Sequence, residues 1–374
     1  MIQQKSEVRN QKSEAGFTIV ELMITMVVFV LAIAAASQIF TKLLTQFKQQ
    51  SKIAETNIEG IVGLDLLRQD IEHAGMGLPW NITGIAYIEA TDVTYNDAPG
   101  NPPRAVISGI MADGSDYLVI KSSNASSLNA AGKSTHLTSD GNVRTWGLHT
   151  DDLNNTDEVI VISPGSTAAN SRTLIASGGV YYTSFNNVSL YAPADNTDVR
   201  LVYGISPANA TNALRAPFNR SDYYLSAANP LSAINVPARC AAGTSVLVRA
   251  TLNQDNGALD EMPVLDCVAD LQVVYDLDTD NDGTIDTPTN DISAMTTQQI
   301  RDQLRNVQVY ILAHEGQKDT TFTFNNYTAG GTSVRVGRSA LIGRDFDLST
   351  IADPDYDNYR WKLYNISVQT GNLR

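Results

Sequence analysis

Aspartates recur at alternate positions in one short segment of the chain. The segment reads Asp276-Leu277-Asp278-Thr279-Asp280-Asn281-Asp282-Gly283-Thr284-Ile285-Asp286. Alternating carboxylates followed by a glycine allow several oxygens to turn inward around one hard cation, and the glycine permits the sharp bend. Without a cation the same carboxylates repel one another. The segment therefore predicts a calcium-binding loop with a structural role.

The predicted ligands follow a D-x-D-x-D-G-x-x-D spacing. They are the carboxylates of Asp278, Asp280, Asp282 and Asp286 and the main-chain carbonyl of Thr284, with Asp276 and Asp291 as further candidates. An EF-hand would need a bidentate glutamate where this chain has Thr289, and the loop resembles instead those of dockerins and thrombospondin type 3 repeats. A solvated acidic turn without metal is the alternative. Magnesium is disfavoured because it accepts fewer carboxylates and keeps its water.

The chain has two cysteines, Cys240 and Cys267. In an exported domain they are expected to form a disulfide, and two buried free thiols are the alternative. The histidines are scattered, and the sequence contains no zinc-protease, hydrolase-elbow or phosphate-loop motif. We therefore predict that the protein is not an enzyme and has no catalytic residues.

A second informative segment is the apolar run from Phe17 to Phe40, in which Glu21 is the single charged residue. About 20 apolar residues in a helix span the hydrocarbon core of a membrane. A carboxylate in such a helix costs about 2.5–3.5 kcal/mol at its centre and less near its end, so Glu21 is expected to have a partner. An ordinary signal peptide with a cleavage site at 34–36 and an uncleaved anchor are the alternatives.

The hexapeptide Gly16-Phe17-Thr18-Ile19-Val20-Glu21 resembles the cleavage and methylation motif of type IV pilins and type II secretion pseudopilins. The resemblance implies that a prepilin peptidase cuts after Gly16 and that Phe17 becomes the N-methylated mature N-terminus. It also implies that Glu21 pairs with an N-terminal ammonium group, on its own or a neighbouring subunit. Opposite charges attract strongly in a medium of low dielectric, which gives this pairing a physical basis.

The acidic loop and the N-terminal motif are positioned by the predicted helices and strands. Residues 17–74 are predicted to form one long helix, which the glycine and proline residues of 75–79 end. Beyond residue 79 the pattern changes to short β-type runs separated by polar loops. Strands are predicted at 105–111, 117–121, 158–163, 180–191, 199–205, 245–251, 264–277, 307–314, 332–342 and 359–369, a short helix at 297–306, and loops at 91–104, 122–142, 164–171 and 206–237.

Three further segments, 67–77, 306–313 and 359–364, resemble PilW-type minor pilins, in which such runs form the helix end and two late strands. The expected fold class is α+β and pilin-like: a long N-terminal helix, transmembrane in its first half, packed on a mainly antiparallel β-sheet domain. The predicted parts are a cytoplasmic leader (1–16), a membrane or filament-core helix (17–40), its periplasmic half (41–77) and a β-rich domain (78–374). A stretch at about 80–240 is a candidate inserted subdomain.

The resemblance implies a minor pilin of a type IV pilus, which takes part in the initiation of assembly or forms part of the pilus tip. Expected partners are other major and minor pilins, the prepilin peptidase and, before assembly, the bacterial inner membrane. The globular domain would lie in the periplasm and later at the cell surface. A minor pseudopilin of a type II secretion system, of the GspJ kind, and a calcium-dependent adhesin at the filament tip are the alternatives.

The charge of the chain excludes one class of partner. The formal net charge is −14, and no run of lysines and arginines is present to neutralise phosphates. Nucleic acid is therefore not an expected partner. A membrane-anchored periplasmic enzyme is a further alternative, which a catalytic arrangement in the folded protein would support.

Overall fold

The computed structural model describes residues 16–91, 94–147, 150–165, 171–207 and 213–373. The predicted leader lies outside these ranges, except for Gly16. The chain divides into two compact units, Met1–Ser51 and Lys52–Arg374.

The longest element is helix α1, Ile19–Glu72. Thr18 caps its first turn, since its Oγ1 accepts a hydrogen bond from the N–H of Glu21 at 3.2 Å. After the helix, Gly75 and Gly77 have φ angles of 83° and 68°, which glycine adopts without strain. The predicted long N-terminal helix is therefore confirmed, and the predicted glycines follow its end.

The second unit is built mainly from β-strands. They are β1 (Val106–Ile110), β2 (Asp116–Ser122), β3 (Ser134–Leu137), β4 (Glu158–Ser163), β5 (Thr173–Leu174), β6 (Tyr182–Ser184), β7 (Arg200–Ser206), β8 (Asn219–Leu225), β9 (Ser245–Leu252), β10 (Leu259–Leu277), β11 (Thr287–Thr289), β12 (Leu304–Glu315), β13 (Ser333–Gly337), β14 (Gly343–Asp347) and β15 (Arg360–Gln369). Helix α2 spans Thr297–Gln303, and 3-10 helices span Phe185–Tyr191, Ser226–Ala228, Leu348–Thr350 and Tyr356–Asn358.

The main sheet has eight strands in the order β1-β2-β8-β9-β10-β12-β15, with β11 beside β10. All of its neighbouring pairs are antiparallel. Strands β3 to β7 form a separate five-stranded antiparallel sheet, and β13 and β14 form a hairpin. The predicted α+β class with a mainly antiparallel sheet is confirmed.

The C-terminal end of α1 packs on the main sheet. Leu67 and Ile71 are fully buried in the largest hydrophobic core. Between them, the carboxylate of Asp70 accepts hydrogen bonds from the Tyr223 hydroxyl and from Arg249 Nε, both at 2.7 Å. The helix is therefore tied to β8 and β9, two inner strands of the sheet, by an ion pair as well as by apolar contacts.

Gly63 lies where α1 passes directly against β10. A Cβ atom on Gly63 would lie 2.1 Å from the carbonyl oxygen of Val264, so any side chain forces a shift of the helix. We expect Gly63→Ala to lower the free energy of unfolding by about 1–3 kcal/mol in urea denaturation. Gly371→Ala is the control, because a Cβ there meets nothing within 4 Å. Equal stability of the two variants would contradict the close packing.

Several sequence predictions within the second unit are wrong. Strands β3 and β8 lie in stretches 122–142 and 206–237, which were expected to be loops. The strand expected at 180–191 is the short β6 followed by a 3-10 helix, because Val180 and Tyr181 stay outside the ladder. The strand expected at 332–342 is the first arm of a hairpin and ends at Gly337. The helix expected at 297–306 ends at Gln303, and β12 begins at the next residue, Leu304.

The sequence of strand β8 does not predict a strand because its first four residues are polar, although they are buried. Asn219, Arg220, Ser221 and Asp222 have no exposed surface. Arg220 donates to both carboxylate oxygens of Asp222, at 2.6 and 2.7 Å, and its Nη1 lies 2.9 Å from Glu89 Oε2. A polar run predicts a solvated loop unless its partners are known, and here Glu89 comes from a distant part of the chain.

The same buried network extends to β2. Lys121 Nζ lies 2.7 Å from both Glu89 Oε2 and Asp97 Oδ2, and Arg104 Nε lies 2.7 Å from Asp97 Oδ1. Burial opposes ionisation of Asp97, but Lys121 and Arg104 outweigh it and lower the pKa of Asp97. Three cations (Lys121, Arg104, Arg220) thus balance three carboxylates (Glu89, Asp97, Asp222). The network joins the segment before β1 to strands β2 and β8.

Candidate functional site

The predicted processing motif lies at the N-terminal end of α1, within the first unit. Gly16 and Phe17 precede the helix, and Phe17 is exposed. Gly16 is exposed as well, and a Cβ atom on it would meet nothing within 4 Å. Glu21 lies in the first turn, where a carboxylate interacts favourably with the helix dipole. Cleavage of the Gly16–Phe17 bond, if a peptidase performed it, would place the new ammonium group about one helical turn from Glu21.

The first part of α1 is apolar on all sides. From Ile19 to Phe47 its large hydrophobic side chains are 43–82% exposed. Within the described residues, α1 is the one helix that is long and apolar enough to cross a membrane, judged by length and composition. A helix that is apolar all round needs a lipid or protein environment. The segment fits membrane anchoring and equally fits packing among other apolar helices.

The acidic loop connects β10 to β11 at the end of the main sheet. Asn281 and Gly283 adopt positive φ angles of 60° and 93°, which bend the loop back on itself. The N–H of Asp286 then donates to the carbonyl of Leu277 at 3.0 Å. This turn brings the two ends of the acidic segment together.

Three of the predicted ligands meet in this loop. Within the described part of the chain, carboxylate oxygens of Asp278, Asp280 and Asp286 lie within 4.8 Å of one another. Two oxygens that bind one calcium ion at about 2.3–2.6 Å are at most about 5 Å apart. The spacing and the hard oxygen donors therefore fit a shared calcium ion, which these three carboxylates would hold.

A positively charged side chain from outside the loop also contacts it, and the sequence did not indicate this contact. Arg305 Nη2 lies 2.6 Å from Asp278 Oδ2, to which Gly283 N–H also donates at 3.0 Å. Burial opposes the charged form of Asp278, but Arg305 and Gly283 outweigh it and lower the pKa of Asp278. Arg305 gave no signal in the sequence because it comes from β12 and reaches Asp278 only through the pairing of β10 with β12.

The other candidate ligands are engaged elsewhere. Asp276 pairs with Arg338 Nη1 at 2.9 Å, and Asp291 accepts a hydrogen bond from the Ser108 hydroxyl at 3.2 Å. Asp282 accepts the N–H of Thr284 at 2.7 Å and is outside the cluster of three carboxylates. Thr279 donates its hydroxyl to Asp286 at 2.8 Å and lowers the pKa of Asp286. Deprotonated carboxylates are the form that binds metal.

Cys240 and Cys267 are joined by a disulfide bond, with the sulfur atoms 2.01 Å apart. His314 lies beside them, and its Nε2 accepts a hydrogen bond from the N–H of Ala241 at 2.9 Å. Burial lowers the pKa of His314 to about 3, so the imidazole is neutral. His314 is therefore a buried core residue. The next residue, Glu315, ends β12 and forms an ion pair with Lys362 at 2.7 Å.

Two family models match the chain. The model described as Type IV Pilus-assembly protein W matches residues 236–372, and the Prokaryotic N-terminal methylation motif matches residues 11–37. No curated protein and no solved structure gives a significant match. The two matches confirm the resemblance to PilW-type minor pilins, and the region between them is matched by neither model.

Proposed function

We propose that this chain is a PilW-type minor pilin, which is cleaved after Gly16 by a prepilin peptidase and then takes part in pilus assembly. The observation that carries the proposal is the presence of both family matches, 11–37 and 236–372, in one chain. In the proposed mechanism, α1 leaves the membrane and packs among the apolar helices of other major and minor pilins. There Glu21 neutralises an N-terminal ammonium group, an attraction that is strong because water is excluded.

We infer the orientation in the membrane from the match to the methylation motif, because a prepilin peptidase would cut the leader on the cytoplasmic side. The flanking charges do not decide it, since Lys5, Arg9 and Lys12 precede the apolar run and three lysines follow it. We therefore place the leader in the cytoplasm and the unit Lys52–Arg374 in the periplasm before assembly. This arrangement puts the disulfide in an oxidising compartment, where such bonds persist.

The size of the globular unit supports a role in initiation or at the tip. It spans Lys52–Arg374 and includes a five-stranded sheet that neither family model covers. So large a globular part is difficult to repeat at every position of a helical filament. A position at one end of the filament removes this difficulty, since each pilus then needs only one copy.

Immunogold electron microscopy tests this position. An epitope inserted beside Leu341 suits the experiment, because this residue is 88% exposed in the turn between β13 and β14. We expect one label at one end of each sheared pilus. Labels at regular intervals along the shaft would contradict a tip position. A strain that lacks this protein provides a second test. If it makes intact pili but fails to secrete proteins, the pseudopilin alternative would be favoured.

We also propose that Asp278, Asp280 and Asp286 bind calcium, with the Thr284 carbonyl as a further ligand. The ion would offset the repulsion among the carboxylates and fix the exit of β10, close to β12. Sites of this type in extracellular proteins bind calcium with dissociation constants of about 0.1–1 mM. Occupancy is therefore expected in media that contain millimolar calcium.

The calcium proposal predicts a change in stability. When the calcium concentration is about 100 times the dissociation constant, the bound ion raises the free energy of unfolding by about 2.7 kcal/mol. With these dissociation constants, 10 mM calcium should raise the free energy of unfolding by about 1.4–2.7 kcal/mol in urea denaturation, and the same concentration of magnesium by much less. The double variant Asp280→Asn/Asp286→Asn should lose the calcium effect, whereas Asp65→Asn on an exposed turn of α1 should keep it. An equal effect in both variants, or none in the parent, would contradict the site.

A further inference from the structure

A cleft beside Trp146, next to the five-stranded sheet, is the strongest unassigned feature of the second unit. Its volume is about 510 Å³, within the range of about 300–1,000 Å³ that small-ligand sites occupy. We propose that this cleft binds a saccharide, with a pyranose ring stacked on the indole of Trp146. The proposal does not rest on the role in pilus assembly.

Trp146 is unusually exposed and yet fixed in place. Its side chain is 47% exposed, whereas Trp361 is buried and Trp80 is enclosed by the guanidinium groups of Arg172 and Arg301. The Trp146 indole N–H donates to the carbonyl of Ser134 at 2.7 Å, and its main-chain N–H donates to Asp152 Oδ1 at 2.7 Å. An exposed ring held by two hydrogen bonds loses little freedom when a ligand stacks on it.

One face of the indole is already occupied. The guanidinium carbon of Arg144 lies 4.2 Å from the centre of the Trp146 ring. Arg144 does not line the cleft, although Trp146 does. In the proposed complex the ligand therefore contacts the surface of Trp146 that borders the cleft, and Arg144 keeps its place on the ring.

The remaining lining is mostly polar. Among the described residues, the polar members of the lining are Asn129, Lys133, Ser134, Thr150 and Asp151, and the remaining members besides Trp146 are Leu128, Ala131 and Gly132. Amide, ammonium, hydroxyl and carboxylate groups can donate to and accept from the hydroxyl groups of a sugar. The C–H groups on one face of a pyranose carry partial positive charge and suit the negative face of an aromatic ring. One aromatic platform with several polar side chains around it is therefore matched by a saccharide.

Other ligand classes fit this cleft less well. One cation, Lys133, stands beside one carboxylate, Asp151, in a chain of net charge −14, which disfavours phosphate-rich nucleic acid. A peptide partner of the usual kind needs an open strand edge or an apolar groove. The lining is mostly polar, and the free edge of β3 is already hydrogen-bonded by Arg144 and Trp146. The cleft also lies outside residues 236–372 and 11–37, so the ligand is expected to be particular to this chain rather than to its family.

The test uses the full chain purified in detergent micelles. We would screen it on an array of mono- to tetrasaccharides of glucose, galactose, N-acetylglucosamine and N-acetylgalactosamine, and titrate the hits by isothermal titration calorimetry, whose signal does not depend on Trp146. Trp146→Ala and Asp151→Ala are expected to weaken binding at least about tenfold. Leu190→Ala is the matched control, since Leu190 is exposed in the neighbouring 3-10 helix but does not line the cleft. It should bind like the parent.

Asp151→Ala keeps the test valid if the tryptophan variant fails to fold, because Asp151 is exposed and lies outside the strands. Lys133→Ala is a third variant of the same kind. Saturable binding to a saccharide that both polar variants weaken would support the site. Absence of binding to every saccharide on the array, unchanged affinity in the variants, or binding to a peptide array alone would overturn the proposal.

Discussion

Glu89→Gln is expected to lower the free energy of unfolding by about 3–5 kcal/mol. Glu89 is buried, and its Oε2 lies 2.7 Å from Lys121 Nζ and 2.9 Å from Arg220 Nη1. Its Oε1 accepts the N–H of Asp97 at 2.7 Å. Removal of the negative charge leaves buried cations without full compensation, which costs far more than the loss of a surface ion pair.

A second substitution separates charge balance from packing. In Glu89→Gln/Lys121→Met one charge of each sign is removed, and Asp97 keeps Arg104 as its partner. The double variant should recover part of the stability that Glu89→Gln loses, as measured by urea denaturation of the full chain. Glu72→Gln, at an exposed position at the end of α1, is the control and should change stability by less than about 0.5 kcal/mol. If the losses in free energy of unfolding caused by Glu89→Gln and by Lys121→Met simply added in the double variant, the charges would not be coupled as described. A loss below about 1 kcal/mol for Glu89→Gln would contradict the account as well.

Glu21→Gln is expected to leave cleavage intact but to reduce incorporation into pili at least about tenfold. Glutamine keeps the size and hydrogen-bonding capacity of the side chain, and Thr18 still caps the helix by accepting the residue 21 N–H. Only the negative charge is lost. An ammonium group left unpaired in apolar surroundings costs several kcal/mol, and about 1.4 kcal/mol already lowers an equilibrium constant for incorporation tenfold.

The measurement is quantitative immunoblotting of sheared pili and of membranes from the same cells. Glu55→Gln is the matched control, because Glu55 lies on α1 beyond the apolar run, exposed and paired with Lys52 at 2.6 Å. This variant should appear in pili at the level of the parent. Normal incorporation of Glu21→Gln would show that the charge at this position has no part in assembly.

The sequence predicts those features whose partners are local. The motif from Gly16 to Glu21 is contiguous, and α1 has a continuous apolar stretch with glycines after its end. The turn at Gly283 and the acids at alternate positions also lie within one segment. For these features, neighbouring residues carry all the information that the prediction needs.

Features that depend on distant partners could not be predicted. Strand β8 reads as a loop until Glu89 and Lys121 are placed beside Arg220. All charged residues within the acidic segment 276–286 are aspartates, and its sequence gives no sign that Arg305 on β12 reaches Asp278. The cleft at Trp146 depends on how residues 128–134 lie against Trp146, Thr150 and Asp151, for which a single sequence has no periodic signal.

The central claim is that this chain is processed and used as a pilin. It is tested most directly by the intact mass and N-terminal sequence of the protein from membranes, with and without prepilin peptidase. We predict a chain that begins at N-methylated Phe17 when the peptidase is present and an uncut leader when it is absent. A chain that begins at Ser37, or one that retains Met1 in the presence of the peptidase, would contradict the account.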